Sequence, residues 1–310
     1  MSSKWRAGGF GRSGKPARLR RGAGWSLRTL LVTVVLVSSS CALFTGTTDS
    51  APATVAAQTG APDWRARITY RPNALVAEFA RLRDDLEGEV GLAVLPVGGG
   101  RMTVLGDWTS GIAWSTIKVP LALAALRRDP DGAYPAAEAA ITVSDNDAAW
   151  ELWQSLGDNT EAGIAVQEVL DEAGQSATGD TVTHPELDDI SYGSTEWSLT
   201  DQATFAAELP CLPDSELVTA LMGSITPDQS WGLGRFSTAQ FKGGWGPDDD
   251  TGEYTVRQFG TIGTTTGRVA VAMAASADTG SFEDSTALLD AMAQLLARNI
   301  GTLPGGACPH

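Results

Sequence analysis

Ser115 and Lys118 stand three residues apart in the stretch AWSTIKVP, residues 113–120. On a helix that spacing puts both side chains on one face, with Cβ atoms about 5–6 Å apart. A serine hydroxyl is a weak nucleophile until a neighbouring base takes its proton. Lysine can be that base when burial lowers its pKa, whereas arginine stays protonated. The residue type is informative here because residues 45–310 contain twelve arginines but only two lysines, Lys118 and Lys242. The flanks GIAW and VPLALAAL are apolar and place Lys118 on a buried helix, where an uncompensated ammonium is costly. A helix-start serine followed by a solvated lysine is the alternative, and S-x-x-K alone arises readily by chance.

Two more stretches carry usable groups. AAITVSDNDAAW contains Ser144-Asp145-Asn146 between two helical patterns. A loop serine can relay a proton, and an asparagine amide can hold a substrate carbonyl or brace a lysine. The same triplet is also good N-cap chemistry for the helix that follows. FKGGWG puts Lys242 on an expected strand, beside Gly243 and Gly244, which let a substrate backbone come close.

The elements that must position these groups follow from periodicity. PNALVAEFARLRDDL has Leu75, Phe79 and Leu82 at helical spacing. EVGLAVLPVGGGRMTVLGDW reads as two strands around a triple-glycine turn. TIKVPLALAALRR is an apolar helix, YPAAEAAITV and DAAWELWQSLG flank Ser144, and TDQATFAAEL and DSELVTALMGSI follow as amphipathic helices. Past residue 235, RFSTAQFKGGWG, GEYTVRQFGTIG and GRVAVAMAASA read as three strands, and STALLDAMAQLLARNI as a closing helix. Strands at both ends of a helical block predict an α+β fold, one antiparallel sheet with helices on its faces and a helical insert.

The charge is unevenly distributed. Residues 1–44 carry eight Lys/Arg and no acid, so the formal net charge of −15 comes from a strongly acidic body. Such a body argues against nucleic-acid binding, which needs cations to neutralise phosphates. Residues 1–28 read as a basic cytoplasmic region and residues 29–48 as an uncharged segment whose dense apolar run, Leu30 to Val37, fits a signal peptide or a signal anchor. Basic residues ahead of it send the rest outward, so the protein is expected outside the cytoplasm, membrane-anchored by that segment or released by cleavage. Residues 49–62 read as a linker and residues 63–310 as one folded domain, expected to be monomeric. Beyond Cys41, the remaining cysteines are Cys211 and Cys308, which either form a disulfide tying the C-terminal tail to the domain or stay reduced. Two histidines and no metal-ligand spacing give no expected metal site, and no cofactor is expected.

In order, S-x-x-K, S-D-N and a lysine-glycine strand motif resemble the serine β-lactamase/penicillin-binding protein (DD-peptidase) superfamily, nearest to its class A branch. The likeness spans about residues 75–300. It implies Ser115 as acyl-forming nucleophile, Lys118 as acylation base and Ser144 as proton shuttle to the leaving nitrogen. Asn146 would grip the substrate amide and Lys242 its carboxylate, beside Gly244, with the Ser115 and Trp245 N–H groups as oxyanion hole. β-Lactams or peptidoglycan-type peptides would be the substrates.

The chain departs from the family pattern in four places. Only 29 residues separate Ser115 from Ser144, which implies a reduced helical subdomain. Gly243 stands where the family has a Ser/Thr hydroxyl, and Trp245 is expected to put a large ring at the pocket edge. In THPELDDISYG, aligning Leu187 with the family's E-x-x-L-N pattern puts His184 at the deacylating-glutamate position, with Glu186 nearby. Deacylation would then fall to His184 or Glu186, or be slow. The competing expectation is a catalytically weak or inactive module of the same fold, binding cell-wall glycan or peptide through Trp114, Trp231 and Trp245, whose bland alternative is core packing.

Overall fold

The structure is a computed structural model that describes residues 74–175, Val182, residues 192–248 and residues 251–309. The expected N-terminal region, apolar segment and linker lie outside the described residues, as do His184 and Glu186. Among the described residues no helix is long and apolar enough to cross a membrane.

Five strands, β1 (Gly88–Pro96), β2 (Thr103–Gly106), β5 (Gln240–Pro247), β6 (Tyr254–Thr264) and β7 (Gly267–Ala277), form one sheet. It is antiparallel, in the order β2-β1-β7-β6-β5. The two chain ends of the domain therefore meet at β1 and β7, as the order of predicted elements requires. A separate ribbon pairs β3 (Ser110–Ile112) with β4 (Glu196–Ser198). Periodicity did not predict that ribbon, because three-residue strands are too short to show alternation.

The residue alternation of β7 explains how the sheet is covered. Val269, Val271 and Met273 face α8 (Phe282–Asn299) and α1 (Ala74–Arg83), joining Leu75, Phe79, Leu289 and Met292 in one core cluster. Ala270, Ala272 and Ala274 face the other way, in a cluster with Ala203, Ala206 and Ala207 of α6 (Leu199–Glu208). Small residues on both surfaces let α6 lie close to the sheet.

The helical insert is built around α2 (Lys118–Arg128), buried from Lys118 through Leu126. A helix apolar on all sides needs neighbours all round, and α3 (Pro130–Thr142), α4 (Asn146–Ser155), α5 (Asn159–Glu172) and α7 (Glu216–Met222) supply them. α3 begins earlier than its apolar pattern suggests, because Asp129 caps it, accepting from Gly132 N, and Pro130 fills the first helical position. Thus α2 and α3, with Asp129 alone between them, nearly fill the 29-residue interval between Ser115 and Ser144. α5, capped by an Asp158–Glu161 box, is an element the periodicity reading did not predict. Cys211 and Cys308 form a disulfide, 97 residues apart in sequence, and Gly306 pairs with Arg268 of β7. The C-terminal tail is thereby held along the sheet and to the turn after α6.

Candidate active site

Ser115 lies in a 3-10 turn, Trp114–Ile117, and Lys118 is the first residue of α2. The turn is seated from below by groups the motif reading missed. The Thr116 hydroxyl donates to the Ala113 carbonyl and accepts from Gln202 Nε2 at 3.0 Å. Gln202 Oε1 accepts from Arg257 Nε at 3.3 Å. The buried Arg257 guanidinium also donates to the carbonyls of Gly111 (2.7 Å), Ile112 (3.0 Å) and Trp197 (3.0 Å), and lies over the Trp108 ring. One side chain of β6 thus fixes the segment leading into Ser115 and the β3–β4 ribbon beside it. The available signal was an arginine in the middle of an apolar strand pattern, TVRQFG, since buried charge is rare unless partnered.

The three motif stretches meet at Ser144. Asp145 caps α4, accepting from Ala148 N at 2.8 Å, as the capping reading of Ser144-Asp145-Asn146 expects, and the same triplet lies against Lys118. Ser144 itself has a left-handed backbone, φ 57. Lys118 Nζ donates to the Ser144 carbonyl (2.7 Å), the Ser144 hydroxyl (3.3 Å) and Asn146 Oδ1 (2.7 Å). From the opposite wall Lys242 Nζ donates to the same hydroxyl at 3.0 Å and to the Gly243 carbonyl at 2.8 Å. Ser144 Oγ therefore accepts from both lysines, which occupies both lone pairs and leaves its own proton free to donate.

Burial sets the electrostatics. Lys118 is 2% exposed and Lys242 fully buried. Desolvation pulls the Lys118 pKa down to about 7, partly opposed by the Asp145 carboxylate. Lys242 falls well below its ordinary value, first by burial and then by the charge on Lys118. Two cations at one hydroxyl repel each other, so a proton leaves the pair easily near neutral pH. The Ser115 hydroxyl, half-buried, makes no hydrogen bond to any described residue.

β5 forms the other wall. It is an edge strand, so alternate backbone groups face away from β6 and toward the turn that carries Ser115. Lys242, Gly244 and Gly246 share the face toward Ser115 and Ser144. A Cβ on Gly244 would lie 2.9 Å from the backbone nitrogens of Ser115 and Thr116, so only glycine lets strand and turn meet. Gly243 and Trp245 face α8 instead. A Cβ on Gly243 would lie 3.0 Å from the Trp231 indole, which fills the place of the missing hydroxyl side chain. The Trp245 ring packs with Trp231 (6.1 Å between centroids) and Phe282 (5.7 Å) on that far face, so toward the Ser115 side Trp245 presents its backbone rather than its ring. Trp114 does reach the near face, where its ring lies across Gly246.

The molecule has the fold of the class A β-lactamases. The chromosome-encoded β-lactamase of Vibrio parahaemolyticus superposes with a TM-score of 0.56 at 14% identity, covering 73% of this chain and 98% of that one. A β-lactamase from Xanthomonas campestris gives 0.56 at 18% identity, over 74% and 98% of the two chains. An ancestral class A β-lactamase gives 0.53 at 19% identity, over 72% and 99%. By sequence the chain matches no protein-family model and no curated protein.

Proposed function

We propose that the protein is an exported serine hydrolase that forms an acyl-enzyme on Ser115, with β-lactams or peptidoglycan-type peptides as substrates. The observation that carries this reading is the convergence of two buried lysines on Ser144 Oγ next to the Ser115 turn. An ion pair would serve for packing; two desolvated lysines that make no salt bridge with any described residue suit proton transfer and capture of an anion.

The roles follow from hydrogen-bond counting. Neutral Lys118 has two N–H donors, matched by the Ser144 carbonyl and Asn146 Oδ1 at 2.7 Å each; it gives up the longer 3.3 Å bond to the Ser144 hydroxyl, and the lone pair so freed takes the Ser115 proton. Ser115 Oγ then attacks the substrate carbonyl, whose oxygen is received by the backbone N–H groups of Ser115 and Trp245; one such donor is typically worth about 2.7–4 kcal/mol. The proton on Lys118 passes to Ser144 as the Ser144 hydroxyl gives its own to the leaving nitrogen. Asn146 also holds the substrate amide, and Lys242, with the narrow Gly244 strand beside it, attracts a carboxylate. Water activation falls to His184 or Glu186, or the acyl-enzyme is hydrolysed slowly. Residues 1–28, 29–48 and 49–62 serve as cytoplasmic region, signal or anchor, and linker ahead of the domain at 63–310; the disulfide supports an oxidising location.

Incubation with benzylpenicillin followed by intact-protein mass spectrometry tests the reading. The expected result is a stoichiometric adduct on the wild type and none on Ser115→Ala. Absence of both a Ser115-dependent adduct and Ser115-dependent hydrolysis, with benzylpenicillin and with penicillanic acid alike, overturns it and favours a binding module of the same fold.

A further inference from the structure

Trp114 precedes Ser115 and holds a left-handed backbone, φ 50, which a bulky residue seldom adopts. Sparse backbone states of this kind persist where surrounding structure enforces them, and they cluster at ligand clamps. Here the outcome is visible. The indole six-membered ring lies so close over Gly246 that a Cβ there would overlap its Cζ3 and Cη2 atoms. Gly246 is on the same face of β5 as Lys242 and Gly244. The ring therefore bridges from the residue before Ser115 to the residue after Trp245.

We propose that Trp114 is the specificity-determining end wall of the site, selecting substrates with little or no substituent on the acyl side of the reacting carbonyl. The inference rests on the acyl-enzyme reading of Ser115. A carbonyl held between the Ser115 and Trp245 N–H groups, with its carboxylate at Lys242, orients the ligand along β5. Its carboxylate-bearing side runs toward Ser144, and the substituent next to the carbonyl runs toward Gly246. Between Lys242 and the indole lie only residues 243–245 of the edge strand, about 10 Å at roughly 3.3 Å per residue. In a penicillin the six-position acylamino group would point into the Trp114 ring. Penicillanic acid, with hydrogen at that position, would not reach it.

Acylation rate constants for penicillanic acid and benzylpenicillin, in wild type, Trp114→Gly and Trp114→Phe, test this. Glycine accepts φ 50 without strain, so Trp114→Gly keeps the turn, and its thermal melt checks that the fold is intact. The ratio of the two rate constants cancels the intrinsic reactivities when compared across variants. The expected result is a shift of that ratio toward benzylpenicillin by about tenfold or more in Trp114→Gly, the scale of a removed steric clash in a pocket. Trp114→Phe, which keeps a ring, should stay near wild type. A ratio unchanged in Trp114→Gly, with Ser115 adducts still forming, overturns the role of Trp114 alone. Failure of both ligands to acylate Ser115 in the wild type overturns the acyl-enzyme reading and this inference together.

Discussion

Lys118 is held in a state that burial makes expensive, and that has two measurable consequences. The first is kinetic. If Lys118 must be neutral to accept the Ser115 proton, the acylation rate constant should rise with pH through about 7 and then level off. Lys118→Arg, which keeps the charge but cannot lose it, should lower that rate by about 10²–10⁴-fold, measured by single-turnover acylation. The second is thermodynamic. The folded pKa lies below the ordinary lysine value of 10.5, so between about pH 7 and 10.5 the unfolded state binds the proton and the folded state does not. The penalty is complete below pH 7 and disappears as pH rises toward 10.5. Lys242, shifted in the same direction, adds with the same sign. Urea unfolding of wild type and Lys118→Met should therefore converge or cross in the wild type's favour as pH rises over this window. Curves that stay parallel from pH 7 to 10 would contradict the buried, easily deprotonated lysine.

β5 brings Lys242, the turn that carries Ser115 and the tryptophans together, and its neighbouring glycines Gly243 and Gly244 each have a cause. Gly244 is short because the Ser115 turn presses on it, and Gly243 because Trp231 does. Restoring a hydroxyl with Gly243→Thr should thus destabilise the domain by about 1–3 kcal/mol, the usual cost of overpacking, seen as a lower denaturation midpoint. In a Trp231→Leu background the added cost of Gly243→Thr should shrink, a coupling that a double-mutant cycle reads directly. β6 contributes the support beneath the turn. Arg257→Met would leave the carbonyls of Gly111, Ile112 and Trp197 without this donor. With each buried unsatisfied group costing about 1–3 kcal/mol, a loss of at least ~2 kcal/mol is expected in chemical denaturation.

Across the whole molecule, the sheet is closed by β1 and β7 and its C-terminal tail is pinned by Cys211–Cys308. That bond spans 97 residues of sequence and reaches from the turn after α6 to the last described residues. Replacing both cysteines by serine should cost about 2–4 kcal/mol. A thermal melt with and without reductant should show the same drop in wild type and no reductant effect in the double variant. Acylation at Ser115 should persist below the melting temperature, since none of the hydrogen bonds at Ser144 involves either cysteine.

Much of this is legible in the linear sequence. The alternating and helical patterns determine the sheet-forming ends and the helical block, because period 2 and period 3.6 are local properties of the chain. The scarcity of lysine and the apolar flanks point to Lys118 and Lys242 for the same reason: a residue type that is costly in its setting needs a cause. What the linear sequence did not determine is which groups face each other. Ser144 Oγ receives both lysines only because α2, the α3–α4 turn and β5 converge there. Arg257 reaches the carbonyls before Ser115 from almost 150 residues away. Trp114 and Trp245 look alike in sequence, yet a left-handed turn lays one ring across Gly246 while strand alternation sends the other to the far face of the sheet. Those outcomes depend on long-range packing and on the side to which a backbone turns, and only the tertiary structure decides either.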